Sequence, residues 1–314
     1  MEAKVKSGGH CRRANMNHVR LWILFAFILW LPVVALAGHD AVFWKQIRAT
    51  KFAVPPNESL DKLAFELIDL TGNTDPILRD QCGYEIFATW IYRDHRLNGN
   101  QLEQLRKKLL SGMIFQLGRA EDDSVFRRSF SGLYMSVLAA EDLQKPFLSA
   151  DAFNETLATA LQCYANEKDL RGYVPKKGWA HATAHVADLL KFLARNPQLS
   201  LEDQKRIVIG VSQRCRTAPS VFTWGEDARI AAALLSVVDR KDFNASIFDA
   251  WFQGLIAGHK ELWKAPNIDT AAYVSVRIQT NVLAYLAAKI AAQKAEEVPK
   301  PFRDALSAIL AQID

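Results

Sequence analysis

The chain has 314 residues, of which 50% are hydrophobic and 23% charged, so it can form a large core and is not a wholly disordered protein. Its formal net charge of +5 comes mostly from residues 1–37, because the rest of the chain holds 34 basic and 33 acidic side chains. Such a balance excludes the basic surface of a general nucleic-acid-binding protein, and no nucleic-acid partner is expected.

The first predicted element is a signal peptide. Basic residues precede an apolar run at 21–36, which ends in Ala35-Leu36-Ala37. This order is typical of a secretory leader and predicts cleavage after Ala37, with export to the periplasm or the extracellular space. A membrane anchor is the alternative, but the run is shorter than the ~20 residues of a spanning helix and contains Pro32. We expect no stable membrane span once the leader is removed.

Residues 38–314 are predicted to form a single helical-repeat domain. Apolar residues recur at spacings of three and four, and we find no convincing alternation of period two. Helices with an arginine near their start recur, at Arg79, Arg127, Arg229 and Arg277. Arg79 and Arg127 are 48 residues apart, and so are Arg229 and Arg277. Two helices in each stretch of ~40–50 residues are typical of HEAT-like repeats. The predicted fold is an all-α, HEAT-like α-solenoid of about five helix pairs.

Acidic residues accompany two of these arginines. Asp75 lies four residues before Arg79, and Asp123 lies four residues before Arg127. Charges at this spacing share a helix face, so we interpret them as structural ion pairs that bridge stacked units.

Three cysteines, Cys82, Cys163 and Cys215, follow the leader. An oxidising compartment would allow at most one intramolecular disulfide among them. Such a low count in a large domain favours buried free thiols.

Two long loops interrupt the repeat. The loop at 166–177 precedes a helix near Gly178 that has no early arginine, and residues 215–225 form the next long connection. Stacked helix pairs would place these loops side by side. Loops beyond ~12 residues in compact domains are often functional, so the functional site is expected at the third and fourth repeats.

The helix predicted at 178–195 would have two distinct faces. The apolar face would consist of Trp179, Ala182, Val186, Leu189, Leu190 and Leu193. His181, His185 and Asp188 are spaced by four and three residues, and they would form a polar stripe on another side of the helix.

This polar stripe allows a metal-dependent and a metal-free interpretation. Two histidines one turn apart and a carboxylate suit zinc, with further ligands from the adjoining loops. Those loops offer Glu167, Asp169, Glu226 and Asp227. The spacing lacks the intervening glutamate of the His-Glu-x-x-His motif, and no full ligand set is evident, so the cofactor stays unassigned and zinc is one hypothesis.

In the metal-free interpretation, Arg171 would clamp a carboxylate or phosphate. Trp179 or Trp224 would offer a stacking face, although core packing is the favoured role of Trp179. His185, paired with Asp188, would act as a general base.

Three blocks of the sequence resemble an uncharacterised bacterial family, domain of unknown function 2785. They are the pair Arg79 and Asp80, the block VFRRSFSGL at 125–133 and the block EKDLRGYVPKKGWAHATAHVADLL at 167–190. The resemblance implies a helical-repeat fold and carries no activity with it. Members of the family are often unexported, so the signal peptide is a departure from its pattern.

Together these features predict an exported module that binds a small-molecule or protein ligand. The expected site contains His181, His185, Asp188, Asp169 and Arg171, with Trp179, Trp224 and Glu226 as further ligand contacts. The alternative is a hydrolase, with or without a metal, in which His181, His185 and Asp188 are the catalytic residues. The sequence leaves open whether the protein is an enzyme.

Overall fold

A computed structural model describes residues 38–264, 266–293 and 298–313, and within them the chain is all-α with two short strands. The helices are α1 (Ala41–Ala49), α2 (Leu60–Leu67), α3 (Glu85–Ala88), α4 (Gly99–Met113), α5 (Ser124–Gln144), α6 (Ala150–Asn166), α7 (Ala182–Arg195), α8 (Leu201–Thr217), α9 (Glu226–Val238), α10 (Asp249–Leu262), α11 (Thr270–Ala292) and α12 (Lys300–Ile313). The strands are β1 (Tyr173–Val174) and β2 (Gly178–Trp179). The predicted signal peptide lies outside the described residues.

The helices from α4 to α11 are arranged in two layers. In one layer α5, α7, α9 and α11 pack side by side, each against the next. In the other, α6 lies between α4 and α8 and contacts both. Leu138, Leu190 and Leu234 belong to the continuous core and have no measurable exposure. No helix in the described part of the chain is both long and apolar enough to cross a membrane.

Local signals in the sequence explain where several of these helices begin. Ser149 and Ser200 have extended backbones and accept hydrogen bonds from Ala152 and Asp203, the third residues of α6 and α8. Asn98 and Gln101 form a reciprocal capping box at the start of α4.

The helix predicted to carry Arg79 near its start is not a regular α-helix. Its ends, Ile77–Tyr84 and Thr89–Arg93, are π-helical, and only the middle turn, α3, is α-helical. A π-helix has wider turns than an α-helix and inserts an extra residue into the pattern, so side chains rotate away from their expected positions.

The ion pairs predicted for Arg79 with Asp75 and for Arg127 with Asp123 are wrong, because these residues pair with others. Arg79 pairs with Asp80 rather than with Asp75. Asp123 binds Lys177 at 2.7 Å. Arg127 has its nearest carboxylate at 3.8 Å, on Asp69. Arg79 thus pairs with the adjacent residue, whereas Asp123 and Arg127 find their partners in other parts of the chain.

Helix α7 begins four residues later than predicted. Gly178 and Trp179 instead pair with Val174 and Tyr173 in a small antiparallel hairpin. His181 then adopts a left-handed backbone, with φ of 55°, immediately before α7. Trp179 is therefore exposed and does not belong to the apolar face of the helix, contrary to the expectation of core packing.

The cysteines at 82, 163 and 215 are buried free thiols, as predicted. Burial raises the pKa of Cys163 and Cys215 to about 12 in each case.

Candidate functional site

A loop at 167–181 leads from α6 into α7 and is fixed at its start by a buried ion pair. Arg128 of α5 donates from Nε to Glu167 Oε2 at 2.6 Å and from Nη2 to Oε1 at 2.9 Å. Both side chains are almost fully buried. A bidentate pair of this kind fixes direction as well as distance. The start of the loop is thereby attached to the neighbouring helix.

Two further buried arginines also hold this loop. Arg214 of α8 donates to the Glu167 carbonyl and to Thr183 Oγ1, each at 2.6 Å. Arg79 donates from Nη2 to the Lys177 carbonyl at 2.7 Å. These contacts replace the backbone hydrogen bonds that a loop lacks, so the loop is held from three sides.

Asp169 and Arg171, both predicted to bind ligand, bind each other. Arg171 donates from Nη2 to Asp169 at 2.7 Å, and Asp169 also accepts from the Glu121 backbone N–H at 2.9 Å. Arg171 Nη2 donates in addition to the Asp122 carbonyl. The Asp169 carboxylate raises the pKa of Arg171. The guanidinium is largely committed within the protein.

Three aromatic side chains meet where the hairpin contacts the loop before α9, and we call Tyr173, Trp179 and Trp224 the aromatic cluster. The Tyr173 and Trp179 ring centroids are 5.5 Å apart, and those of Trp179 and Trp224 are 5.8 Å apart, with interplanar angles of 78° and 82°. The three side chains are 49%, 40% and 46% exposed. The two long loops therefore lie side by side, as the sequence predicted.

The position of Trp224 depends on the absence of a side chain at Gly172. A Cβ atom at Gly172 would lie 2.1 Å from Trp224 Cγ, far inside contact distance. Only glycine allows the indole to rest on the backbone at this point.

His181 packs beneath this aromatic surface. Its ring stacks on Trp179 with centroids 5.1 Å apart and an interplanar angle of 28°. Nε2 is buried without a hydrogen-bond partner, and it lies 3.9 Å from Glu226 Oε1. Burial lowers the pKa of His181, although the Glu226 carboxylate opposes the shift, so the ring is neutral near pH 7.

Glu226 is the first residue of α9 and its side chain is only 4% exposed. Its Oε2 accepts a hydrogen bond from the Trp224 backbone N–H at 2.9 Å. Gly225, with φ of 86°, makes the turn into the helix. The next residue, Asp227, is also buried, and burial raises its pKa. The N-terminal end of a helix favours such carboxylates.

A pocket of about 320 Å³ opens beside the aromatic cluster. The charged or aromatic residues on its wall are Glu121, Lys168, Asp169, Arg171, Phe222, Trp224 and Glu226. Four of the residues predicted to contact ligand are thus brought to one cavity by the two loops.

His185 and Asp188 lie away from this pocket and have partners of their own. His185 Nδ1 is 2.7 Å from the buried Ser129 hydroxyl, and burial keeps the pKa of His185 well below its ordinary value. Asp188 accepts from Arg229 Nη1 at 2.6 Å. Both side chains are buried, and each contacts a different partner, so the polar stripe predicted on α7 does not reach solvent at these two residues.

The predicted metal ligands are therefore not arranged as a set. His181 faces Glu226, His185 faces Ser129 and Asp188 faces Arg229. Across the described residues, no group of three or more histidine, cysteine, aspartate or glutamate side chains is placed to hold a metal ion.

The sequence reasoning missed Tyr173 and the anchoring residues Arg128, Arg214 and Ser129. For Arg128 a signal existed, because two arginines stand together in VFRRSF and adjacent residues of a helix point in directions about 100° apart. For Arg214, whose carbonyl acceptor lies 47 residues away, the sequence offers no comparable sign.

Comparison with known proteins gives a family but no activity. No curated protein and no solved structure matches the chain. One family model matches residues 113–286, a range that contains α5, both long loops and the whole pocket. The chain belongs to the family of proteins of unknown function called DUF2785.

Proposed function

We propose that this protein is an exported, HEAT-like helical-repeat module that binds a ligand at the aromatic cluster and the pocket beside it. The observation that carries the proposal is the 3.9 Å gap between His181 Nε2 and Glu226 Oε1 beneath the exposed aromatic side chains. The two atoms are too far apart to bond directly, and Glu226 lies on the wall of the pocket.

The Nε2 atom of His181 has no hydrogen-bond partner in the free protein. A buried polar atom without a partner costs about 1–3 kcal/mol. A ligand hydroxyl or amine group placed ~2.8 Å from each of the two atoms would supply the missing hydrogen bond to His181 and one to Glu226. The bound state would therefore satisfy groups that the free protein leaves unsatisfied.

The repeat architecture supports the proposal in a second way. Two layers of helices and the 48-residue spacing of the arginines agree with a solenoid, whose loops form extended binding surfaces. Export rests on the leader sequence, and N-terminal sequencing of the protein from the culture supernatant or periplasm should begin at Gly38.

Binding is favoured over hydrolysis because of the surroundings of His185 and Asp188. The hydrolase alternative needs them as catalytic groups at an open surface. In the structure one contacts a buried serine and the other is neutralised by Arg229.

The test is a thermal-shift screen of the purified protein against a panel of cationic, anionic and neutral small molecules. Compounds that stabilise the protein should bind to Trp224→Ala and His181→Ala with an affinity at least about tenfold lower. Trp263→Ala is the matched control, since Trp263 is an exposed tryptophan on the distant α10 end. Hits that respond equally to all three substitutions would contradict the proposal.

A further inference from the structure

We infer that the ligand of this site carries an organic ammonium group, which sits against the aromatic cluster and next to the Glu226 carboxylate. The inference rests on the proposed function, because it names the chemical class of the ligand bound there. Four observations lead to it: an unpaired buried carboxylate, an uncharged imidazole, perpendicular aromatic rings and a pocket of suitable size.

The first observation is the charge state around α9. Glu226 and Asp227 are both buried, and among the described residues neither has a lysine or arginine within 4.0 Å. The one basic side chain within that distance of Glu226 is His181. A buried carboxylate without a cation is costly, so the site is complete only when a positive group comes from outside.

The two neighbouring arginines are already used. Arg171 is committed to Asp169 at 2.7 Å, and Arg229 is committed to Asp188 at 2.6 Å. Lys168 is exposed at the rim of the pocket. His181 adds no charge near neutral pH, because its burial lowers its pKa. The wall of the pocket holds three carboxylates and two basic side chains and therefore keeps an excess of one negative charge.

The aromatic geometry is suited to a cation. Tyr173 and Trp179 are nearly perpendicular, as are Trp179 and Trp224. Perpendicular rings present faces in more than one direction, and the face of an indole attracts a cation within ~6 Å of its centre. Gly172 and the hairpin fix these rings in place before a ligand arrives, so little ordering is needed on binding.

A small ammonium compound also fits the space. The pocket of about 320 Å³ has Trp224 and Glu226 on the same wall, which places an aromatic face and a carboxylate within reach of one group. A neutral sugar would use the rings and the hydrogen-bonding atoms but would leave the Glu226 charge unpaired. An anion would be repelled by that charge.

The experiment compares choline with its uncharged isostere 3,3-dimethylbutan-1-ol, by tryptophan fluorescence titration at constant ionic strength. Choline should bind saturably and at least about tenfold more tightly than the alcohol. Glu226→Gln keeps an acceptor for the Trp224 N–H but removes the charge, and it should abolish the preference for choline. Glu261→Gln, an exposed glutamate paired with Lys264, is the matched control and should keep it.

Other results would separate this inference from the function it rests on. The ammonium assignment would be overturned if the two isosteres bound equally well. It would also be overturned if methyl glucoside or acetate bound in a Trp224-dependent manner and choline did not. Either result would leave a ligand-binding site in place. If no probe of any charge binds in a manner that depends on Trp179 and Trp224, both proposals fail. Circular dichroism and the melting temperature of each variant confirm that the fold is intact.

Discussion

Arg128 and Glu167 form a two-point ion pair between α5 and the end of α6, and nearly all of it is shielded from water. The two residues are 39 positions apart in the chain. Through Glu167 the pair also contacts the Asp169 backbone N–H, and so reaches the loop that carries Tyr173 and Trp179. The energetic role of this pair can be tested directly.

Replacing Arg128 by leucine should strongly destabilise the protein, because it leaves a buried carboxylate without its cation. The expected loss in the free energy of unfolding is about 3–5 kcal/mol, measured by denaturant titration. Arg127→Leu removes the adjacent and partly exposed arginine and should cost less than about 1 kcal/mol. Similar losses in the two variants would contradict the assignment of Arg128 as the anchor.

Gly172→Ala should disturb both stability and binding. The added methyl group overlaps the Trp224 ring, and overpacking of this kind costs about 1–3 kcal/mol. Gly254→Ala on α10 adds a methyl group in open space and should instead stabilise the protein by about 0.5–1 kcal/mol. Denaturant titration gives both values. A neutral effect of Gly172→Ala would show that Trp224 does not rest on that backbone.

His39 should make the protein more stable at mildly acidic pH than at alkaline pH. Burial alone would lower the pKa of His39, but hydrogen bonds and charge interactions with Glu66 and Glu58 outweigh it, and the net pKa is raised. A raised folded-state pKa gives stability that is full below the unfolded pKa of ~6.5 and is lost as the pH rises through the folded pKa. His39→Ala should therefore lower the melting temperature more at about pH 5.5 than at about pH 8. An equal drop at both would argue against the ion pairs.

His185 should have the opposite effect on the pH dependence of stability, so that stability is lost at acidic pH. Its pKa is lowered by burial first and then by the charges of His181, Arg229 and Arg79. Stability linked to His185 is therefore present above the unfolded pKa and is lost as the pH falls toward the folded value. In His185→Gln the fall in unfolding free energy below about pH 6.5 should be shallower by up to about 1.4 kcal/mol per pH unit. His259→Gln on α10 serves as the control, and an unchanged slope in His185→Gln would rule out the linkage.

Cys163 and Cys215 should be inert in the folded protein. Both thiols are buried, and with a pKa of about 12 almost none is ionised near pH 7. Treatment with iodoacetamide followed by peptide mass spectrometry should find them unmodified in native protein and fully modified after unfolding in guanidinium chloride. Native labelling of either would be inconsistent with its burial.

Much of the fold could be predicted from local patterns. Apolar spacings of three and four and the caps at Ser149 and Ser200 depend on residues close in sequence, and the structure agrees with both. The long loops also indicated where the cavity would form. Their lengths alone mark positions at which the regular packing of helices is interrupted.

The site itself could be predicted only in part, since its geometry depends on the backbone and on distant contacts. The left-handed backbone of His181 ends the helical register, so extrapolating a helix back to Gly178 placed Trp179 in the core. The same extrapolation grouped His185 with His181 and Asp188, whereas its partner in the structure, Ser129, is 56 residues away. Periodicity describes neighbours along the chain and gives no information about such partners.

The three arginines that anchor the loop at 167–181 come from separate parts of the chain, namely the π-helical segment, α5 and α8. A fragment comprising only α6 to α9 would contain every residue of the aromatic cluster and yet lack two of these anchors, Arg79 and Arg128. Recognition by this protein is therefore a cooperative property of the assembled domain, and it could not be transferred to another scaffold by moving the two loops alone.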